Sequence, residues 1–275
     1  MPQDRCLFLI APLLGLALSA ATAGPPQSRS DDLIGGIGLT ELTVYDQRPA
    51  PDGLMSGSPH VHAVTDEGYY VLSGKGRVEL HDLENGFRTV DLEPGRYVQF
   101  PPAVLHRLVS TDHLVLLAVM GNAGLAERGD ARIYFGKAVD EDPDEFDRLT
   151  GLAEAKGLEG ALDRRDAAVR AYMSLVELWR KDQPAYYMEL ARFIRVHLKT
   201  AAHQVSSFSR AVEAGTMAWG QRFRKRLENL PRACEEAGPV LHVPTGETIL
   251  GMCGLLRPVT RLEAIRPAKD AGPAK

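Results

Sequence analysis

Four residues in the first half of the chain have the types and spacing to hold a metal ion. His60 and His62 stand one residue apart in "SPHVHAV", Glu67 follows after four residues, and His106 comes later in "PPAVLHRLVS". In a strand alternate side chains share a face, so His60 and His62 point the same way, about 7 Å apart along the backbone. Two imidazoles so placed can converge on one ion. Glu67 starts the next apolar run and can return a carboxylate to that face. His106 supplies a third imidazole after a strand over residues 95–101 and a Pro-Pro turn. Three nitrogens and one carboxylate suit Fe(II), Mn(II), Ni(II) or Zn(II), without choosing among them. A six-coordinate ion held by four protein groups keeps two positions for substrate, water or O₂, which is what would let the centre catalyse.

The other titratable residues carry weaker signals. In "RVELHDL" Val78 and Leu80 share one face, so Glu79 and His81 are expected to point outward. His113 is placed at the exposed end of an apolar strand, and His197 on a helix stripe as a packed histidine. His197 and His203 are six apart, the wrong interval for a shared ion on a helix, and His242 has no ligand-type neighbour at ligand spacing. In "YYVLSG" Tyr69 and Tyr70 point opposite ways, so one faces the metal side; Tyr97 and Gln99 pose the same question on their strand.

Short strands must position these residues. From residue 37 to 137 the chain reads as strands separated by Gly, Pro, Asn and Asp, with a hairpin signal in "ENGF". Such spacing predicts a β-sandwich or barrel. From residue 141 the period changes to that of helices. Asp142 is the expected N-cap, Pro143 the first helical residue and Glu145 the closing member of a capping box, with a stop at Lys156-Gly157. Val169, Tyr172, Met173, Val176 and Trp179 form one apolar stripe; Tyr187, Leu190, Ile194, His197 and Ala201 form another. A third helix is expected over residues 216–230, where the basic run Arg222 to Arg226 reads as a solvated face. Residues 141–255 are thus a helical region, ending in a hairpin that turns at Thr245-Gly246, and residues 256–275 a disordered tail.

At this point the chain resembles the cupin superfamily, with a single barrel of the type-2 kind. The family's first motif places His-x-His, three or four residues, Glu, six residues and Gly; here these are His60, His62, Glu67 and Gly74. Its leading glycine is absent, with Leu54 at that place. In the second motif Gly95, Pro101 and His106 match, while Ala103 and Ser110 replace a glycine and an asparagine. These departures touch turn and support positions, not ligands. The resemblance covers roughly residues 39–120. It implies a small antiparallel double-stranded β-helix (a jelly-roll barrel) with His60, His62, Glu67 and His106 as ligands of one divalent ion inside it. The helical C-terminal region lies outside the family pattern.

Length, charge and termini set the remaining expectations. The chain has 275 residues, 44% of them hydrophobic, and a formal charge of −4, which gives no case for nucleic acid as a partner. Residues 1–23 read as a signal peptide, with Arg5, an apolar core and small residues before Gly24; residues 24–36 read as a flexible lead-in. The mature protein is expected in the periplasm or secreted, with no transmembrane span. In an oxidising compartment Cys234 and Cys253 are expected to form a disulfide. Two functions follow from different classes. The first is a metal-dependent enzyme acting on a small organic molecule, an oxidoreductase of dioxygenase kind before an isomerase or decarboxylase. The second is a non-catalytic metal or small-ligand binding module whose helices dock a partner. A homodimer through the barrel is a further expectation.

Overall fold

The structure is a computed structural model that describes residues 33–232, 240–244, 246–259 and 262–264. Its strands in the first half are β1 (Gly38–Val44), β2 (Met55–Ser56), β3 (His60–His62), β4 (Glu67–Asp82), β5 (Gly86–Leu92), β6 (Tyr97–Phe100), β7 (Leu105–Met120) and β8 (Ala131–Ile133). Helices α1 (Lys137–Asp140), α2 (Pro143–Thr150), α3 (Leu152–Lys181), α4 (Gln183–Ala202), α5 (Val205–Val212) and α6 (Ala218–Glu228) follow. Strands β9 (Val240–His242), β10 (Ile249–Leu250), β11 (Gly254–Pro258) and β12 (Leu262–Ala264) end the described chain. This is an antiparallel double-stranded β-helix followed by a helical layer.

Two long strands set the barrel's shape. β4 and β7, each of 16 residues, pair antiparallel from Glu67↔Met120 to His81↔Leu105, with register shifts between Val71 and Gly76 that bend the pair. Gly74 sits inside that bend at φ 74°, where a Cβ would fall 2.2 Å from the Asp112 and His113 carbonyl oxygens, so the position needs glycine. Inside the barrel Leu42, Val44, Val71, Val78, Leu92, Leu108, Leu114 and Leu116 form a dry core. Each such side chain contributes about 1.5–3 kcal/mol on burial. The family's second-motif glycine is Ala103 here, and its φ of 64° shows why glycine suits that place.

The helices cover one outer face of the sheet. Val61 and Leu105, facing away from the barrel interior, pack with Tyr134, Tyr172, Leu175, Tyr186, Leu190 and Phe193. Asp142 caps α2 by accepting from the Asp144 and Glu145 amides, with Pro143 at the first position, as its sequence requires. Glu145 does not close the capping box: its carboxylate takes a two-point bond from Arg148 at 2.6 Å instead. Gly157 breaks α3 with φ 61° and ψ −139°, at the stop read from Lys156-Gly157.

The end of the chain differs from its sequence reading. β9 pairs with β12, and β10 pairs with β11, so the tight turn falls at residues 251–253 rather than at Thr245-Gly246; Thr245 lies outside the described residues. The "GMCG" stretch makes this possible, since Gly251 and Gly254 flank the turn and the Gly251 amide donates to the Gly254 carbonyl at 2.9 Å. Residues 256–258, expected to begin a disordered tail, belong instead to β11, which pairs with β1 from Thr40↔Pro258 to Val44↔Gly254. The chain therefore returns to the barrel after its helices.

Candidate metal centre

Strand pairing places the donors. His60 lies directly opposite His106 in the β3–β7 register, and Glu67 opens β4 where it pairs with both β6 and β7. His60, His62, Glu67 and His106 are all buried, and one donor atom from each falls within 4.8 Å of the others. The structure therefore brings together all four residues that the sequence singled out.

The imidazoles are oriented by what their other nitrogens touch. His60 Nδ1 donates to the Ser58 carbonyl and His106 Nδ1 to the Val104 carbonyl, each at 3.0 Å. His62 Nδ1 donates to Asp130 Oδ2 at 3.0 Å. Because a carbonyl or carboxylate only accepts, each ring carries its hydrogen on Nδ1 and turns a bare Nε2 lone pair inward. His106 Nε2 is 3.0 Å from His60 Nε2 and 3.0 Å from Glu67 Oε2, and His62 Nε2 is 3.2 Å from Glu67 Oε2. His62 Nε2 and Glu67 Oε2 have no hydrogen-bond partner. Buried polar atoms are nearly always paired, so orphans converging on one point are what a cation would satisfy. The donor set fits a divalent transition metal.

The electrostatics agree. Burial and the neighbouring His106 hold His60 well below the ordinary histidine range. Burial would raise Glu67, yet the imidazoles of His106 and His62 beside its oxygen hold its carboxyl well below the usual carboxylate range. Burial would likewise lower His62, but its bond to Asp130 and the neighbouring Glu67 carboxylate outweigh that and raise it.

Sequence reasoning missed Asp130. It sits in the loop before β8, and besides His62 its Oδ1 accepts from the Ala63, Val64 and Thr65 amides at 2.7–3.3 Å. His197 Nε2 donates to the Asp130 carbonyl at 2.7 Å, so the packed histidine of α4 supports the loop from behind. No spacing signal marks Asp130, because its link to His62 spans 68 residues.

The remaining candidates sort cleanly. Tyr69 is the tyrosine that faces inward; its buried hydroxyl lacks a hydrogen-bond partner, and burial together with Glu67 pushes its pKa well up. Tyr70 and Tyr97 are exposed, and the Tyr97 hydroxyl donates to Gln99 on the outer face. His113 is exposed and pairs with Asp46, but it lies at the bend in the middle of β7 rather than at a strand end. Glu79 and His81 do point away from the barrel interior, but they are not solvated: α3 and α4 bury both. Cys253 is a free, buried thiol whose Sγ lies 3.5 Å from His60 Nε2, so it is not in a disulfide here. Cys234 lies outside the described residues.

A double-stranded β-helix around a buried three-histidine, one-carboxylate cluster defines the class. Residues 47–120 match the cupin domain family, and the chain carries a cupin domain. Among curated proteins it is 30% identical over 121 residues to glucose-6-phosphate isomerase of Thermococcus litoralis, covering 39% of this chain and 63% of that one. The chain thus spans less than two thirds of this relative's length. Solved structures that match include a cupin protein of Bacteroides fragilis, at 19% identity over 32% of this chain and 68% of that one, with a TM-score of 0.25. A variant oxalate decarboxylase of B. subtilis matches at 18% identity over 45% of this chain and 29% of that one, with a TM-score of 0.31.

Proposed function

We propose that the chain is an exported cupin that binds one divalent transition metal and acts with it, as an enzyme, on a small organic molecule. One observation carries the reading: three bare Nε2 lone pairs and a carboxylate oxygen converge in a buried site, and two of those atoms are orphaned. The bound ion would supply Lewis-acid or redox chemistry to substrate oxygen atoms. Dioxygenase-like oxidation leads among the reactions; the likeness to a glucose-6-phosphate isomerase supports an isomerase as the next. The chain's own residues would do three things. The Nδ1 bonds to Ser58, Val104 and Asp130 hold the rings in place. The unpaired Tyr69 hydroxyl stands ready to bond a ligand oxygen. The apolar lining that includes Phe100, Val104 and Ala118 keeps bulk water out. Export rests on the leader read in residues 1–23, which lie outside the described residues; among those described, no helix is long and apolar enough to cross a membrane.

A second reading, the non-catalytic binding module, draws support from burial. All four donors are at most 4% exposed, and the 251–253 turn lies against His60. One pair of measurements tests both. Elemental mass spectrometry of the mature protein is expected to find near-stoichiometric metal, lost in a His60→Ala/His62→Ala variant that still folds. No metal in either protein, even after reconstitution with Fe(II), Mn(II), Ni(II) and Zn(II), refutes both metal readings. Water-proton relaxation of the Mn(II)-loaded protein then separates them: a fast-exchanging water supports the enzyme, and its absence supports the module.

A further inference from the structure

We propose that α6 lies flat on an anionic phospholipid surface and holds the protein to one face of a bilayer without crossing it. The proposal goes beyond the metal reading and does not depend on it. Its first ground is exposure. None of the eleven residues of α6 is buried. Phe223 and Leu227, with Leu230 just past the helix end, follow at steps of four and three residues, so they share one face. They are 50%, 74% and 67% exposed. In α4 the matching residues Leu190, Phe193 and Ile194 are buried. The basic run expected as a solvated face is solvated, then, but it borders an apolar face that is solvated too.

The second ground is charge. Arg222, Arg224, Lys225 and Arg226 stand against one acid, Glu228, which gives α6 a net charge of +3 in a chain whose formal charge is −4. At 3.6 residues per turn Arg224 flanks one side of the apolar face, Arg222 and Arg226 flank the other, and Lys225 lies opposite. The guanidinium of Arg226 lies over the Phe223 ring at 5.6 Å and that of Arg222 over the Trp219 ring at 4.9 Å. Arginine stems therefore run beside the apolar groups while their charges reach outward. That is the arrangement of a helix in a bilayer's interfacial plane, where the apolar face enters the acyl boundary and the flanking cations meet lipid phosphates. A groove on a protein would close over both flanks and bury those charges, which interface cores avoid.

The third ground is that the helix is held in its orientation. A wide turn over Glu213–Met217, with Gly215 at φ −90° and ψ −106°, redirects the chain between α5 and α6. The turn Ile34–Gly36 packs against it so closely that a Cβ on Gly36 would fall 2.3 Å from the Gly215 carbonyl carbon. Asn122 Oδ1 also accepts from the Thr216 amide at 3.2 Å. The barrel's own loop thus fixes the angle at which α6 is presented.

The test is co-sedimentation of the mature protein with phosphatidylcholine vesicles that contain about one third phosphatidylglycerol, beside vesicles of phosphatidylcholine alone. Binding is expected to the anionic vesicles only, and to weaken as ionic strength rises from about 0.05 to about 0.5 M. Arg222→Gln/Arg224→Gln should weaken it about 30-fold, which is about fivefold for each charge removed near the surface. Phe223→Ser/Leu227→Ser, which leaves the charge unchanged, should weaken it by about tenfold or more. All four side chains are exposed, and circular dichroism checks that both variants keep the fold. Absence of binding overturns the proposal, as does binding that ignores lipid charge or survives either pair of substitutions. A concentration-dependent dimer that ignores vesicles and is lost in Phe223→Ser/Leu227→Ser overturns it too, and assigns the face to a second copy of the chain.

Discussion

Two clusters of buried polar side chains lie on opposite sides of the same sheet, and they differ in one respect. Inside the barrel, three Nε2 lone pairs and a carboxylate oxygen face each other with no hydrogens to share. Outside it, beneath α3 and α4, each acceptor meets a donor. The Tyr172 hydroxyl donates to Glu79 Oε2 at 3.0 Å, so its oxygen accepts from His81 Nε2–H at 2.7 Å. His81 Nδ1 is then bare and accepts from the Tyr186 hydroxyl at 3.0 Å. Arg77 holds the other Glu79 oxygen, while Arg107 binds Asp52 and Ser56. Of these side chains only Arg107 leaves an atom unpaired, its Nε. A closed chain of donors and acceptors is a structural device; a convergence of acceptors is a site for something positive. Burial and histidine content do not distinguish the two. The direction of the hydrogens does.

The sharpest way to break this comparison is to remove a charge from the outer cluster. Arg107 is 1% exposed, donates to Asp52 at 2.7 Å, and lies over the Tyr172 ring at 5.2 Å. Arg107→Ala leaves Asp52 without its buried partner, and loss of one member of such a pair costs about 3–5 kcal/mol. A denaturant titration should show that loss, while the fraction that stays folded keeps its metal content. A loss below about 1 kcal/mol, or a folded variant without metal, would mean that the two sides of the sheet are not independent.

A smaller effect is expected inside. Asp130→Asn preserves size, and the amide oxygen can still accept from the amides of Ala63, Val64 and Thr65. Its NH₂ would then face His62 Nδ1–H, donor against donor, which drives the hydrogen to Nε2 where the ion must bind. Metal affinity should fall about 10–100-fold, as for other groups that orient a ligating histidine. Chelator competition measures it. An unchanged affinity would show that His62 needs no orienting partner.

The sequence made the inner cluster legible and the outer one almost wholly obscure. His60, His62, Glu67 and His106 announce themselves because a strand's period of two puts the first pair on one face, and glycine and proline punctuation brackets the others. The same period placed Glu79 and His81 on the outer face, but nothing local says that a face will be covered by helices 90 residues on. Their partners Tyr172 and Tyr186 were readable only as part of apolar helix stripes. Asp142, Pro143 and Gly157 were legible as helix punctuation, because capping and backbone freedom are decided within a few residues. Cys253 is obscure for the opposite reason. Two cysteines in a chain expected to be exported invite pairing, and only the return of β11 to β1 shows that this thiol faces a histidine.

The mildest perturbation is acid, and it should act on the outer cluster through His81. Burial lowers that histidine to about 3, with only Asp82 opposing the shift. Unfolded, it would titrate near the ordinary value of about 6.5. Between those values the unfolded state holds the extra proton, so this contribution is complete above pH 6.5 and falls as the pH drops toward 3. The slope approaches about 1.4 kcal/mol per pH unit once the pH is well below 6.5. His81→Gln keeps an acceptor for Tyr186 and a donor for Tyr172 but cannot titrate. Urea midpoints measured from pH 7 to 5 should therefore decline less steeply in the variant than in the parent. His197, which burial lowers to about 4, contributes equally to both proteins and cancels in the difference. The difference should also be the same with and without bound metal, because His81 is separated from the ion by the sheet. A difference that appears only in the metal-loaded protein would show that the acid-sensitive group lies inside the barrel, among the convergent histidines.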